Sequence, residues 1–251
     1  MTPADVLGLA EIQGEYSASV CRLVESQEEA ATYSLVNNLD EQALLEQIID
    51  DFKPAYPEGT DGLHYLIKTP FRYPPLRHGS RFGTRLEASF FYASEDVTTC
   101  YAEVAFYRFV FFEAMDTPYQ KTVHSSHQLF SVAVQSSKAL DLTSIEDEEA
   151  IKRLTSKTSY EFTQAIGRVA HENSIELIRY RSARSVNNDG KNVAIDQPYV
   201  ITTRQPESMV LVQCETLPYE GIVRFSAPKT FPITFRIEQF MVEDKLPYPP
   251  A

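Results

Sequence analysis

Cysteine is scarce in this chain: Cys21, Cys100 and Cys214 are odd in number, far apart and without a CxxC spacing. That argues against both a disulfide framework and a structural zinc site. Basic residues are also in deficit, 23 against 35 acids, for a formal charge of −12 and a pI near 4.9. Such a balance disfavours direct nucleic-acid binding, which needs a basic face to neutralise backbone phosphates. No apolar run approaches the roughly 20 residues that span a bilayer, and no basic-then-apolar leader opens the chain. A cytoplasmic protein with no membrane contact is therefore expected. Phosphate-cradling glycine loops, a dinucleotide fingerprint and a nucleophile elbow are all missing, as are internal repeats. His124 and His127 stand three apart with no third ligand in view, so a surface loop is expected there and no metal site.

The 251 residues, 43% hydrophobic and 23% charged, suit one large globular domain with an appendage. Residues 1–56 read as a helical N-terminal extension. Leu44, Leu45, Ile48, Ile49 and Phe52 recur at helical spacing behind an N-cap at Asp40, and Glu11 to Ala31 is compatible with helix. Pro54, Pro57 and Gly59 mark the boundary. Residues 57–251 then mix element types. Strands are expected at His64–Thr69, Ala88–Ala93, Leu129–Val134, Ala139–Leu142, Ile175–Tyr180, Met209–Gln213, Ile222–Phe225 and Phe231–Ile237. Helices are expected at Glu95–Met115, 146–156 and 158–172, with the Phe and Tyr run from Phe106 to Phe112 packed in the core. The fold class is α+β, a mixed β core with flanking helices.

Phe71-Arg-Tyr-Pro-Pro-Leu-Arg-His-Gly-Ser-Arg-Phe-Gly-Thr-Arg85 holds four of the fourteen arginines and no acid. Guanidinium groups gathered against the global charge point to a local anion site, with Tyr73 and Phe82 supplying flat apolar surface. The competing reading is a surface loop whose arginines pair with carboxylates. Glu103 lies in the small, apolar segment Tyr101-Ala-Glu-Val-Ala105, where a partly desolvated carboxylate needs a cationic or hydrogen-bonding partner to stay ionised. On the solvated side of its helix it would need none. Tyr92 and Ser94 close the strand before that helix, and strand ends facing helix starts commonly contact ligands. Further on, Arg179-Tyr-Arg-Ser182 and the polar turn up to Asn192 bring hydroxyl and amide groups that suit a sugar or an amide.

Taken together, these pieces resemble the RES-domain family, bacterial toxins usually encoded beside an antitoxin and named for an Arg, a Glu and a Ser. The resemblance spans roughly residues 63 to 200 and runs through Phe71-Arg-Tyr73, Gly79-Ser-Arg-Phe82, Phe91-Tyr-Ala-Ser94, Ala102-Glu103, Arg181-Ser182 and Asn192. It implies a core similar to that of ADP-ribosylating toxins and an activity that breaks down NAD. On it, Arg72, Glu103 and Ser182 become the catalytic triple, and Tyr73, Arg81, Tyr92, Ser94 and Asn192 the substrate-binding set. This chain has Gly79-Ser-Arg-Phe-Gly83 where many members have Gly-Gly-Arg-Trp-Asn, and the first family arginine usually lies further upstream. The choice of Arg72 over Arg77 stays open at this point.

The chemistry that follows is loss of nicotinamide from NAD. Pyridinium departs as a neutral base, so no acid is required, unlike in ordinary glycosidases. The enzyme must steady an oxocarbenium-like ribosyl centre and hold the rest of the molecule. Glu103 would do the first, Arg72 and Arg81 the second, with Ser182 and Asn192 orienting the ribose or carboxamide. Water or phosphate is the expected acceptor. ADP-ribosyl transfer to a macromolecule and a non-catalytic NAD-binding module are the alternatives. No metal or cofactor enters this scheme, NAD being the substrate. The resemblance adds a small antitoxin as partner, and the acidic N-terminal helices are a surface for docking it or for self-association.

Overall fold

The structure, a computed structural model, describes residues 2–9, 11–13, 15–26, 35–75, 78–117, 119–187 and 189–248. Its strands are β1 (Glu11–Gln13), β2 (Tyr16–Glu25), β3 (Phe91–Ser94), β4 (Val123–Ser136), β5 (Ala139–Asp141), β6 (Leu177–Arg181), β7 (Lys191–Ile195), β8 (Ser208–Leu217), β9 (Ile222–Ser226) and β10 (Ile233–Arg236). Among the described residues they form one ten-stranded mixed sheet in the order β1-β5-β6-β7-β3-β2-β4-β8-β9-β10. Among the described strands, only β5 and β6 run parallel. The helices are α1 (Pro3–Leu9), α2 (Leu39–Asp51), α3 (Tyr65–Arg72), α4 (Val97–Glu113), α5 (Glu148–Leu154) and α6 (Glu161–Glu172). The α+β class is as expected.

Of the N-terminal segment expected to be helical, Leu39–Asp51 is so as α2, but Tyr16–Glu25 is strand. β2 pairs with β4 from Tyr16↔Ser136 to Glu25↔His127 and touches β3 at Cys21↔Ser94, so it lies inside the sheet. Within the Glu11–Ala31 stretch the described residues are thus mostly strand, and residues 27–31 lie outside them. Period-2 alternation is blurred there because Val20 and Cys21 are both buried, one beneath each face. The division at residue 56 therefore cuts through a shared sheet. His64–Thr69, expected as strand, belongs to α3. The His64 ring accepts from the Leu66 amide, and Leu66, Ile67 and Phe71 make the buried face. His124 and His127 sit in β4, with His127 buried edge-on to Phe225. Asn38, not Asp40, caps α2. Phe106, Phe109 and Phe112 are buried as expected, whereas Phe111 is exposed.

Three apolar clusters hold the sheet. α4 lays Tyr101, Ala105, Phe106 and Phe109 on Val212, Val223, Phe225 and Phe240. Leu66, Ile67 and Phe71 of α3 join Phe91, Phe130 and Val193. The third cluster sets Ile166 and Ala170 of α6, with Leu154, against Leu140, Ile178 and Phe82.

Candidate active site

β2 and β3 pair at a single register position, Cys21↔Ser94. At this seam opens a cavity of about 820 Å³, lined by Arg22 of β2, Tyr92 and Ser94 of β3, Glu103 and Tyr107 of α4, Asn192 of β7 and residues 73–75 and 78–81. Asp96 caps α4 through the Thr99 amide at 2.8 Å, which starts the helix where Glu103 falls on the cavity wall.

Glu103 is half-buried rather than in open solvent. Its Oε1 accepts from Ser182 Oγ at 2.6 Å and from Asn192 Nδ2 at 2.7 Å. Both donors are fixed in turn. Ser182 is buried, and its oxygen accepts from the amides of Arg184 at 3.0 Å and Ser185 at 3.1 Å. Asn192 is buried too, and its Oδ1 accepts from Ser94 Oγ at 2.7 Å, which aims the amide nitrogen at Glu103. No hydrogen bond reaches Oε2 among the described residues. One carboxylate oxygen is clamped, and the other is unengaged among the described residues.

The cation across the seam is one that sequence reasoning missed. Arg22 donates Nη1 to the Tyr92 carbonyl and lies 5.3 Å from the Phe91 ring centroid. Its Nε is buried and has no partner among the described residues. Desolvation pulls the guanidinium below the usual arginine range, against nearby groups that raise it. A lone arginine in Ser19-Val-Cys-Arg-Leu-Val24 carried no local signal beyond its apolar surroundings. Arg72, expected in the triple, faces elsewhere. It donates Nε to the Pro54 carbonyl, sits 3.6 Å from Asp50 and lies over Tyr56. It is absent from the cavity lining because α3 turns that side toward α2. Arg77 falls outside the described residues, and Arg85 is exposed.

Arg81 does line the cavity, buried, with its guanidinium 4.7 Å from the Tyr160 ring centroid and donating to the carbonyls of Leu154 and Ser156. Tyr73 stands exposed at the rim. The Tyr92 hydroxyl meets Ser80 Oγ at 2.8 Å and accepts from the Phe82 amide at 3.1 Å, and burial pushes its pKa up to about 12. Tyr107, Tyr160 and Tyr180 complete an aromatic wall. Arg179 is spent on structure, forked to Glu95 at 2.7 and 2.9 Å and bonded to Asp141 at 3.0 Å. No cluster able to hold a metal ion occurs among the described residues.

Of the expected site residues, Arg81, Tyr73, Tyr92, Ser94, Glu103 and Asn192 share the cavity, Ser182 stands behind Glu103, and Arg72 is apart. Among curated proteins, none matches the chain. A chain from the crystal structure of the M. tuberculosis MbcT–MbcA toxin–antitoxin complex is similar at a TM-score of 0.47 and 15% identity, covering 86% of this chain and 92% of that one. The RES domain model matches residues 57–211, a span that holds Glu103, Ser182 and Asn192 but not Arg22. With more than half its length so matched, the chain belongs to the RES-domain family.

Proposed function

We propose that this protein is the toxin of a toxin–antitoxin pair and degrades NAD by cleaving the nicotinamide–ribose bond, with water or phosphate as acceptor. The observation that carries this reading is Glu103, its Oε1 held at 2.6 and 2.7 Å and its Oε2 unengaged among the described residues, in one cavity with Arg22, whose Nε has no partner among the described residues. At about 820 Å³ that cavity is at the large end of small-molecule sites, roughly 300–1,000 Å³, as a dinucleotide demands.

The C1′–N bond breaks with its electron pair leaving on neutral nicotinamide, and Glu103 stabilises the positive charge that develops on the ribosyl carbon. An acceptor oxygen then bonds to C1′. Water passes its proton to solvent, and phosphate yields the sugar phosphate. Arg22 and Arg81 hold the pyrophosphate, and Tyr73 and Tyr92 flank the flat rings. Ser182 and Asn192 act through Glu103 by fixing its rotamer. A small antitoxin polypeptide silences the activity by blocking the cavity.

Product analysis after mixing the protein with NAD, with and without phosphate, tests the reaction and separates the two acceptors. Glu103→Gln is expected to cut turnover by about 10²–10³-fold or more with the fold intact. Parental turnover in that variant removes Glu103 from the chemistry. Expression of the unaltered chain is expected to arrest growth, and unimpaired growth at a confirmed high level counts against a toxin.

A further inference from the structure

α2 buries none of its residues. Leu44, Ile48 and Phe52 recur every fourth position and align along one side, 59%, 44% and 86% exposed. A helix of 13 residues with no packed face is marginal in water, because tertiary burial supplies most helical stability. Both ends are nevertheless secured. Asn38 caps the first turn, accepting from the Glu41 amide at 2.9 Å. At the other end Arg72, its side chain only 10% exposed, binds the Pro54 carbonyl, pairs with Asp50 and covers Tyr56. The helix is thus fixed to α3 with its apolar stripe bare.

Charge defines what would cover it. Asp40, Glu41, Glu46, Asp50 and Asp51 lie on α2, with no lysine or arginine between 39 and 51. Among the described residues Asp40 and Asp51 make no ion pair, since Lys53 and Arg72 both serve Asp50. We propose that α2 is the docking site for a basic amphipathic helix of a second polypeptide. Its apolar side packs on Leu44, Ile48 and Phe52, and its lysines or arginines meet Asp40 and Asp51. A second copy of this chain is the poorer occupant, because it would bring five more acids to the same contact. The inference stands on α2 alone and is independent of the reaction at the cavity. Tyr65, Leu66, Thr69 and Pro70 of α3 line the cavity, so the bound helix would sit beside the cavity wall.

The test uses the full chain and a fluorescent synthetic peptide, helical and amphipathic, with leucines every fourth position flanked by lysines. Anisotropy is expected to show saturable binding. The triple variant Leu44→Ser, Ile48→Ser, Phe52→Ser should weaken it by at least about tenfold, with circular dichroism and the cavity activity reporting that the rest is intact. Asp40→Lys with Asp51→Lys should weaken it too, and a peptide with glutamates for lysines should recover binding to that variant alone. Glu220→Lys with Glu238→Lys, exposed acids outside α2, should leave it unchanged. Absence of saturable binding, equal binding by the stripe variants, or equal binding of the acidic peptide to the unaltered chain overturns the proposal. So does a dimer of the peptide-free chain, or adsorption to phosphatidylcholine vesicles, that the triple variant abolishes.

Discussion

Glu103 owes its definition to two donors that converge on the same oxygen. Hydrogen bonds to a charged group contribute about 1.5–3 kcal/mol each, and here each donor is itself fixed, Ser182 by two backbone amides and Asn192 by Ser94. The carboxylate therefore presents its other oxygen without first reorganising. Arg22 is the reverse case, a guanidinium with a buried Nε that finds nothing among the described residues. A buried orphan donor costs about 1–3 kcal/mol, and an anionic ligand would repay that cost on binding. Arg22→Ala should thus lower kcat/KM for NAD loss by about tenfold to a hundredfold, the span of one charge-assisted hydrogen bond. Arg72→Ala should do less, since its contacts are with Asp50, Pro54 and Tyr56. Parallel kinetics of the two variants check this, and an equal or greater loss in Arg72→Ala would return Arg72 to the site.

At the scale of elements, α6 is what holds the Arg81 loop in place. Gln164 donates to the carbonyls of His78 at 3.2 Å and Ser80 at 3.0 Å. One turn later Gly167 lets the helix come so close that an added Cβ would stand 1.9 Å from the Phe82 carbonyl oxygen. Alanine raises helix propensity by about 1 kcal/mol over glycine, yet overpacking against backbone costs about 1–3 kcal/mol, and here the clash should win. Gly167→Ala is expected to lower unfolding stability by that order and to raise KM through a displaced Arg81. Urea denaturation with steady-state kinetics measures both, and a stabilised variant with parental KM refutes the close approach. α3 and β2 show how element type escaped the sequence pattern. Tyr65-Leu-Ile-Lys-Thr69 is as apolar and β-branched as a strand, and the His64 cap that makes it helical is an unusual one.

At the scale of the whole molecule, His127 links the packing of the sheet to pH. It lies 2% exposed on β4 against Phe225, and burial first, then the Arg108 charge, draws its pKa down to about 4. In the unfolded chain it titrates near 6.5. Between those values the unfolded state binds the proton and the folded state does not, so this contribution is complete above about 6.5 and lost as pH falls toward 4. The full span is on the order of 3 kcal/mol. His127→Leu should therefore flatten the decline in unfolding free energy between pH 6.5 and 4.5 relative to the unaltered chain, by urea titration at each pH. Identical slopes in the two proteins would show that His127 is not the group responsible.

The sequence by itself determined the α+β class and the long helix that carries Glu103, while it was the family resemblance that grouped Ser182 and Asn192 with that acid. The first two are local: helical spacing from Glu95 onward and an acid among small apolar neighbours. Only the tertiary structure decided which cations share the cavity with Glu103. Of the arginines between 72 and 85, Arg81 does line the cavity, but α3 commits Arg72 to α2, and Arg85 turns to solvent. Arg22 reaches the site because β2 crosses the sheet beside β3, which sets its guanidinium on the carbonyl of Tyr92, seventy positions away. Strand order is fixed by which apolar faces bury together, a sum over the whole chain that no window of neighbouring residues contains.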